Sequence, residues 1–197
     1  MKKVYFLAII TLLLVFLCGC SDNRDDGKSN LLISKNAEVT MRIRESFNED
    51  YYNIDELREM LQSEVSEYNA QTGESLIEVK KAEVTGSGYT DIEIVFSSGK
   101  DYARFNNEDM FIGSGLQADV QGWNLSVILT DPSDSAATIG QTDLKQLDDD
   151  TLMISNYSEN IYLPSKVKYV SDNVTVLDDK KSVKKNSEDS GLIYVVY

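Results

Sequence analysis

Histidine is missing from this 197-residue chain, and its two cysteines, Cys18 and Cys20, both lie close to the N-terminus. The body beyond residue 20 therefore carries neither imidazole nor thiol. That excludes Ser-His-Asp and Cys-His catalysis, histidine or thiolate zinc sites, histidine-ligated haem, cysteine-ligated iron–sulfur clusters and structural disulfides. No cofactor and no metal is expected. Without cross-links the body must be stabilised by its core alone, which a chain of this length can supply. Proline is scarce as well, at Pro132 and Pro164, and Trp123 is the only tryptophan.

Positive charge is the next shortage. Lysine and arginine number 19 against 33 aspartates and glutamates, a formal balance of −14. So acidic a body is not expected to bind nucleic acid, whose phosphates need a basic counterpart. Long apolar runs are also few. The longest, Val4 to Leu17, is interrupted only by Thr11 and falls short of the ~20 residues that span a bilayer as a helix.

What surrounds that run gives it meaning. Met1-Lys2-Lys3 precedes it, and Leu17-Cys18-Gly19-Cys20 and then Ser21-Asp22-Asn23 follow it. A charged start, a short apolar stretch and a small-residue processing site make a secretory signal peptide over residues 1–19. The Leu17-Cys18-Gly19-Cys20 segment resembles the lipobox of bacterial lipoproteins, with Cys18 a less usual occupant of a permissive middle position. The resemblance covers about the first twenty residues. It implies that the Cys20 thiol receives a diacylglyceryl group, that cleavage leaves Cys20 first, and that the mature protein is lipid-anchored at the extracytoplasmic face of the cell membrane. Two acyl chains, at ~0.8 kcal/mol per buried methylene, hold a protein there stably. Cleavage removes Lys2 and Lys3, so the mature body is more acidic still. It is expected to be repelled by an anionic bilayer and to stand away from it.

Residues 20–36 read as the lipidated N-terminus and a flexible tether, and 37–197 as a single α+β domain. Alternation in Val39, Met41 and Ile43 predicts a strand. Ile54, Leu57, Leu61, Val65 and Tyr68 share one helical face, with Asn53 and Glu56 as a capping box, Tyr52 placed to staple onto Leu57, and Gly73 as the stop. Strands follow over 76–84 and 91–96, joined by a loop with Gly86-Ser87-Gly88. A short helix is predicted over 100–105 and a strand over 110–112. This β-α-β-β-α-β order suggests a split βαβ arrangement. The remainder reads as short strands at 125–130, 151–154, 160–163, 166–170, 173–177 and 192–197. The fold class expected is one long amphipathic helix packed on a mostly antiparallel sheet, with a β-rich C-terminal half.

Several groups are weighed for chemistry. Gly86-Ser87-Gly88 and Gly113-Ser114-Gly115 lack the extended phosphate-binding fingerprints and read as turns. Asp131 with Asp134, and Asp148-Asp149-Asp150, offer oxygens to Ca²⁺ but not the spacing of an EF-hand loop, so they read as solvated acidic loops. Trp123, within Gln121-Gly122-Trp123-Asn124, is either an exposed platform for a sugar ring or a partner's apolar knob, or a plug at the edge of the core. Lys180, Lys181, Lys184 and Lys185 read as a basic loop between two strands. Carboxylate pairs are the one catalytic device in abundance, and none is singled out. The reading that follows is a non-catalytic binding or accessory module of the cell envelope, with an envelope protein or a glycan as partner. A carboxylate-based envelope hydrolase is the alternative.

Overall fold

The computed structural model describes residues 27–147, 149–186 and 191–197, so the leader, Cys20 and Asp148 lie outside the described residues. The structure is α+β with strands predominating, and the pairing is mostly antiparallel. The strands form two sheets rather than the single one expected.

The first sheet has seven strands: β1 (Asn30–Ile33), β2 (Val39–Ile43), β3 (Ile77–Val84), β4 (Thr90–Phe96), β9 (Asn160–Tyr162), β11 (Val174–Val176) and β12 (Ser182–Lys185). Their order is β11-β12-β9-β1-β2-β4-β3. Only β1 and β9 pair in parallel. Because side chains alternate faces, strand register decides which residues share a surface. One row runs across the whole sheet through Val79, Ile94, Met41, Leu31, Ile161, Val183 and Val176. This apolar face is the floor of the main core.

The second sheet contains β5 (Met110–Gly113), β6 (Leu129–Asp131), β7 (Asp134–Ile139), β8 (Leu152–Ser155), β10 (Tyr169–Val170) and β13 (Ile193–Val196), in the order β5-β8-β13-β10-β6-β7. Strands β8 and β13 are buried at every position, because both faces of this sheet are covered. Met153, Ile193 and Val195 join the main core, while Leu152, Ile154, Tyr194 and Val196 form a second core with Ala118, Leu125, Leu129 and Leu144. Strands covered on both faces read as continuous apolar runs rather than alternation.

Four helices complete the described fold. The longest, α1 (Ile54–Thr72), packs on β3 and sinks Leu61 and Val65 into the main core. Its first turn is capped by Asn53, whose Oδ1 accepts the Asp55 and Glu56 amides at 2.9 and 3.4 Å, and Gly73 ends it at φ 74°. Tyr52 stacks on Phe47, with ring centroids 4.8 Å apart. In α2 (Gly99–Asn106), Ser98 Oγ accepts the Asp101 amide, and the buried Asp101 carboxylate accepts hydrogen bonds from Tyr68 at 3.0 Å and Ser98 at 2.5 Å. Helices α3 (Gly115–Val120) and α4 (Gln141–Lys145) cover the second core.

Two expectations need correction. The tether does not extend to residue 36: Asn30–Ile33 is an interior strand with neighbours on both sides, and Leu31 is fully buried. Its four residues are too short to reveal a period, while the polar residues around them suggested linker. The β-α-β-β-α-β order over 37–113 is present, and its first half is a split βαβ unit, with β4 inserted between β2 and β3, which are joined through α1. The second half departs from the expectation, because β5 belongs to the other sheet instead of pairing beside β2.

Candidate functional site

At the β11 end of the first sheet, Val174 and Val176 are only half-buried, and β6 and β10 of the second sheet lie beside them. The chain passes from β10 in one sheet directly to β11 in the other, through a corner at Ser171-Asp172-Asn173. Polar groups fix this corner to β13. Ser171 Oγ accepts the Tyr194 amide at 2.9 Å and donates to Asn173 Oδ1 at 2.7 Å, and Asn173 Nδ2 donates to the Leu192 carbonyl at 3.0 Å. Both buried side chains, Ser171 and Asn173, are thus hydrogen-bonded, which sets the corner's geometry.

A groove of about 790 Å³ opens at this corner. Its floor is aliphatic, formed by Val167, Val170, Val174, Val176 and Leu177, with Val176 the last residue of the seven-strand apolar row. One wall is the β6–β7 turn, Asp131-Pro132-Ser133, with Ser135 beyond it. Asp131 Oδ1 accepts the Ser133 amide at 2.7 Å, which fixes that turn. The other wall is the β11–β12 turn, where the Lys180 amide donates to the Leu177 carbonyl at 2.9 Å and Lys180 sits at φ 56°. Asp179 Oδ1 accepts from the Lys181 and Ser182 amides and from the Ser182 hydroxyl, so this wall is also stapled.

The rim is acidic. Asp131, Asp172 and Asp178 line it with one cation, Lys180, among the described residues. Strand β11 ends the sheet order, so among the described residues no strand neighbours the backbone donors and acceptors of its outer edge. The site can therefore offer aliphatic contact, negative charge and strand-type hydrogen bonding together.

The groups weighed from sequence are placed as follows. Trp123 is half-buried against the second core, its ring centroid 6.0 Å from that of Phe111, on the face of the second sheet opposite the main core. It packs as the core plug, away from the groove. Asp131 and Asp134 face each other across the β6–β7 turn, and Asp134 Oδ1 accepts the Ala136 amide at 3.0 Å. Asp150 is ion-paired with Lys168. No group of three or more acidic side chains suited to a metal lies among the described residues.

The basic loop needs correction. Lys180 and Lys181 lie in the β11–β12 turn, but Lys184 and Lys185 belong to β12. Lys184 pairs with Glu159 at 3.2 Å, while Lys185 points to the opposite face and is only 7% exposed. Of the four, only Lys180 borders the groove. Gly113-Ser114-Gly115 is a strand-to-helix junction in which Ser114 caps α3 in a reciprocal capping box with Gln117. Sequence reasoning singled out two of the groove residues, Asp131 and Lys180, without joining them. The valines read as ordinary strand interior, and nothing local in the sequence marks where the second sheet stops covering them.

Compared with known protein families, curated proteins and solved structures, the chain has no match.

Proposed function

We propose that the protein is a membrane-tethered, extracytoplasmic lipoprotein, anchored through Cys20, that works as a non-catalytic binding module. Its ligand is an extended, lysine- or arginine-bearing polypeptide segment seated in the groove between the β6–β7 and β11–β12 turns. The single long amphipathic helix, α1, acts as structural backing for the sheet rather than as part of the site.

The observation that carries this reading is the combination at one edge: an aliphatic floor, an acidic rim and the open edge of β11. An extended segment can hydrogen-bond to a sheet edge while alternate side chains enter the groove. Its cations would meet Asp131, Asp172 and Asp178, and charge complementarity of that kind sets partner choice. A sugar is the poorer fit, because stacking platforms are aromatic and this floor is valine and leucine.

Photocrosslinking in cells tests the reading. A photoreactive residue at Ser133, on the groove wall, is expected to trap a discrete protein in the membrane fraction. The same residue at Val120, 79% exposed on α3, should not. Equal trapping from both positions would overturn the groove assignment. A Cys20→Ala variant that keeps its mass and its membrane fractionation would overturn the anchor.

A further inference from the structure

The chain enters the first sheet at one definable end. The Arg44 amide donates to Ser29 Oγ at 3.0 Å, immediately before β1 begins. The β1–β2 turn, around Lys35, lies at the opposite end of the same strands.

Beside that entry point is an aromatic cluster. Residues 45–47 are bound to the β3–β4 turn: the Thr90 amide donates to the Glu45 carbonyl, and the Phe47 amide to the Gly88 carbonyl, both at 2.8 Å. Tyr89 lies under the Arg44 guanidinium, 5.8 Å from its ring centroid. Phe47 stacks on Tyr52, and Tyr51 meets Tyr52 edge-on, each pair of ring centroids 4.8 Å apart. Tyr51, Tyr52 and Tyr89 remain 75%, 44% and 42% exposed. Three tyrosines held this open on one end form a surface that is both apolar and hydrogen-bonding.

We infer that this tyrosine cluster rests in the headgroup region of the bilayer that holds the lipid on Cys20. The inference depends on the anchor reading above. Tether length is the first argument. At ~3.3–3.6 Å per residue, the stretch from Cys20 to Ser29 reaches about 30 Å at most. A domain of this size is about 40 Å across, so the tether cannot carry the anchor round to the far end. Contact through the far end is thereby excluded, and the entry end is the one held nearest the membrane. Tyrosine chemistry is the second argument, since its amphipathic ring favours the membrane–water interface.

Charge gives the third. The body is strongly acidic, yet this end carries Lys28, Arg42, Arg44 and Lys81 among Glu45, Glu49, Asp50, Glu83, Asp91 and Glu93. These four cations offset part of the repulsion that an anionic surface exerts on the body. The β11–β12 turn that walls the groove lies at the opposite end of the sheet, so contact through the entry end leaves the groove on the aqueous side. The expectation that the whole body stands clear of the bilayer is replaced by contact through one end.

Fluorescent labelling of the full-length lipidated protein tests this. Ser87→Cys, on the β3–β4 turn, and Lys35→Cys, on the β1–β2 turn, are labelled separately. Each is reconstituted in phosphatidylcholine–phosphatidylglycerol vesicles carrying a headgroup nitroxide. Loss of fluorescence is expected at position 87 and not at 35. Replacing Tyr51, Tyr52 and Tyr89 with serine should abolish the loss while the protein stays on the vesicle, and replacing them with phenylalanine should largely preserve it. Equal or absent quenching in protein that carries the diacylglyceryl mass would overturn the cluster's role and leave the anchor standing. Protein without that mass would overturn the anchor, and this inference with it.

Discussion

Leu31 and Leu32 are adjacent, chemically identical and on opposite faces of one strand. Leu31 is fully buried at the middle of the row that spans the first sheet, whereas Leu32 is half-exposed on the outer face. Leu31→Ala removes methyls from a filled core, so both the transfer and the cavity costs apply, about 2–5 kcal/mol. Leu32→Ala opens no enclosed space and should cost about 1 kcal/mol or less. Against a total stability of roughly 5–15 kcal/mol the first is severe and the second mild. With a urea m-value of ~1–3 kcal/mol/M, Leu31→Ala should lower the unfolding midpoint by about 1 M or more, and Leu32→Ala by a few tenths. Urea titration of the mature chain, followed by circular dichroism, reads both. Equal midpoints for the two variants would refute the placement of residues 30–33 as an interior strand. Residues in a free tether would give no shift for either.

Three further outcomes follow from particular contacts. A Cβ on Gly115 would stand 1.7 Å from the Leu144 carbonyl oxygen, so Gly115→Ala should force α3 off α4 and cost about 1–3 kcal/mol or more in thermal unfolding. Gly122→Ala, at φ 84° with nothing within 4 Å, should cost only the backbone strain of ~1 kcal/mol. Burial holds the Tyr102 and Tyr197 phenols above their usual range, and the Glu108 carboxylate adds to this at Tyr102. The unfolded chain loses these protons near pH 10 while the folded chain keeps them. Stability is therefore intact below pH ~10 and falls above it by up to ~1.4 kcal/mol per pH unit for each tyrosine. Urea midpoints between pH 9 and 11 should show this, with a shallower fall in Tyr102→Phe. Trp123→Ala should cost about 1–3 kcal/mol, less than a fully buried aromatic, and leave ligand binding in the groove unchanged.

Periodicity worked where it was long. Helix α1, with its Asn53 cap and Gly73 stop, and the 76–96 hairpin were legible because an amphipathic face repeats over several turns or pairs. It failed for short elements. Asn30–Ile33 has too few residues to show a pattern, and Asp134–Ile139 is polar and exposed because it is a sheet edge. The C-terminal strand Ile193–Val196 was visible as apolar, but its second covered face was not. That cover comes from α3 and α4, for which no element was expected, and from residues 121–128, which form no strand although 125–130 read as one. The groove was hidden for a related reason. Its floor is built from β10 and β11, which are neighbours in sequence but lie in different sheets. A change of sheet leaves no local mark on the residues that make it.

The claim that the β11 edge is a ligand site is tested most directly by amide NMR titration of the mature protein. The probes are a capped alternating lysine–valine pentapeptide and its glutamate–valine counterpart. The lysine peptide is expected to shift the amides of Val174–Leu177 and Ser133–Ser135, with an affinity that falls as salt rises, and Asp178→Lys should weaken it. Shifts elsewhere, or equal responses to the two peptides, would contradict the assignment of this edge to a cationic extended segment.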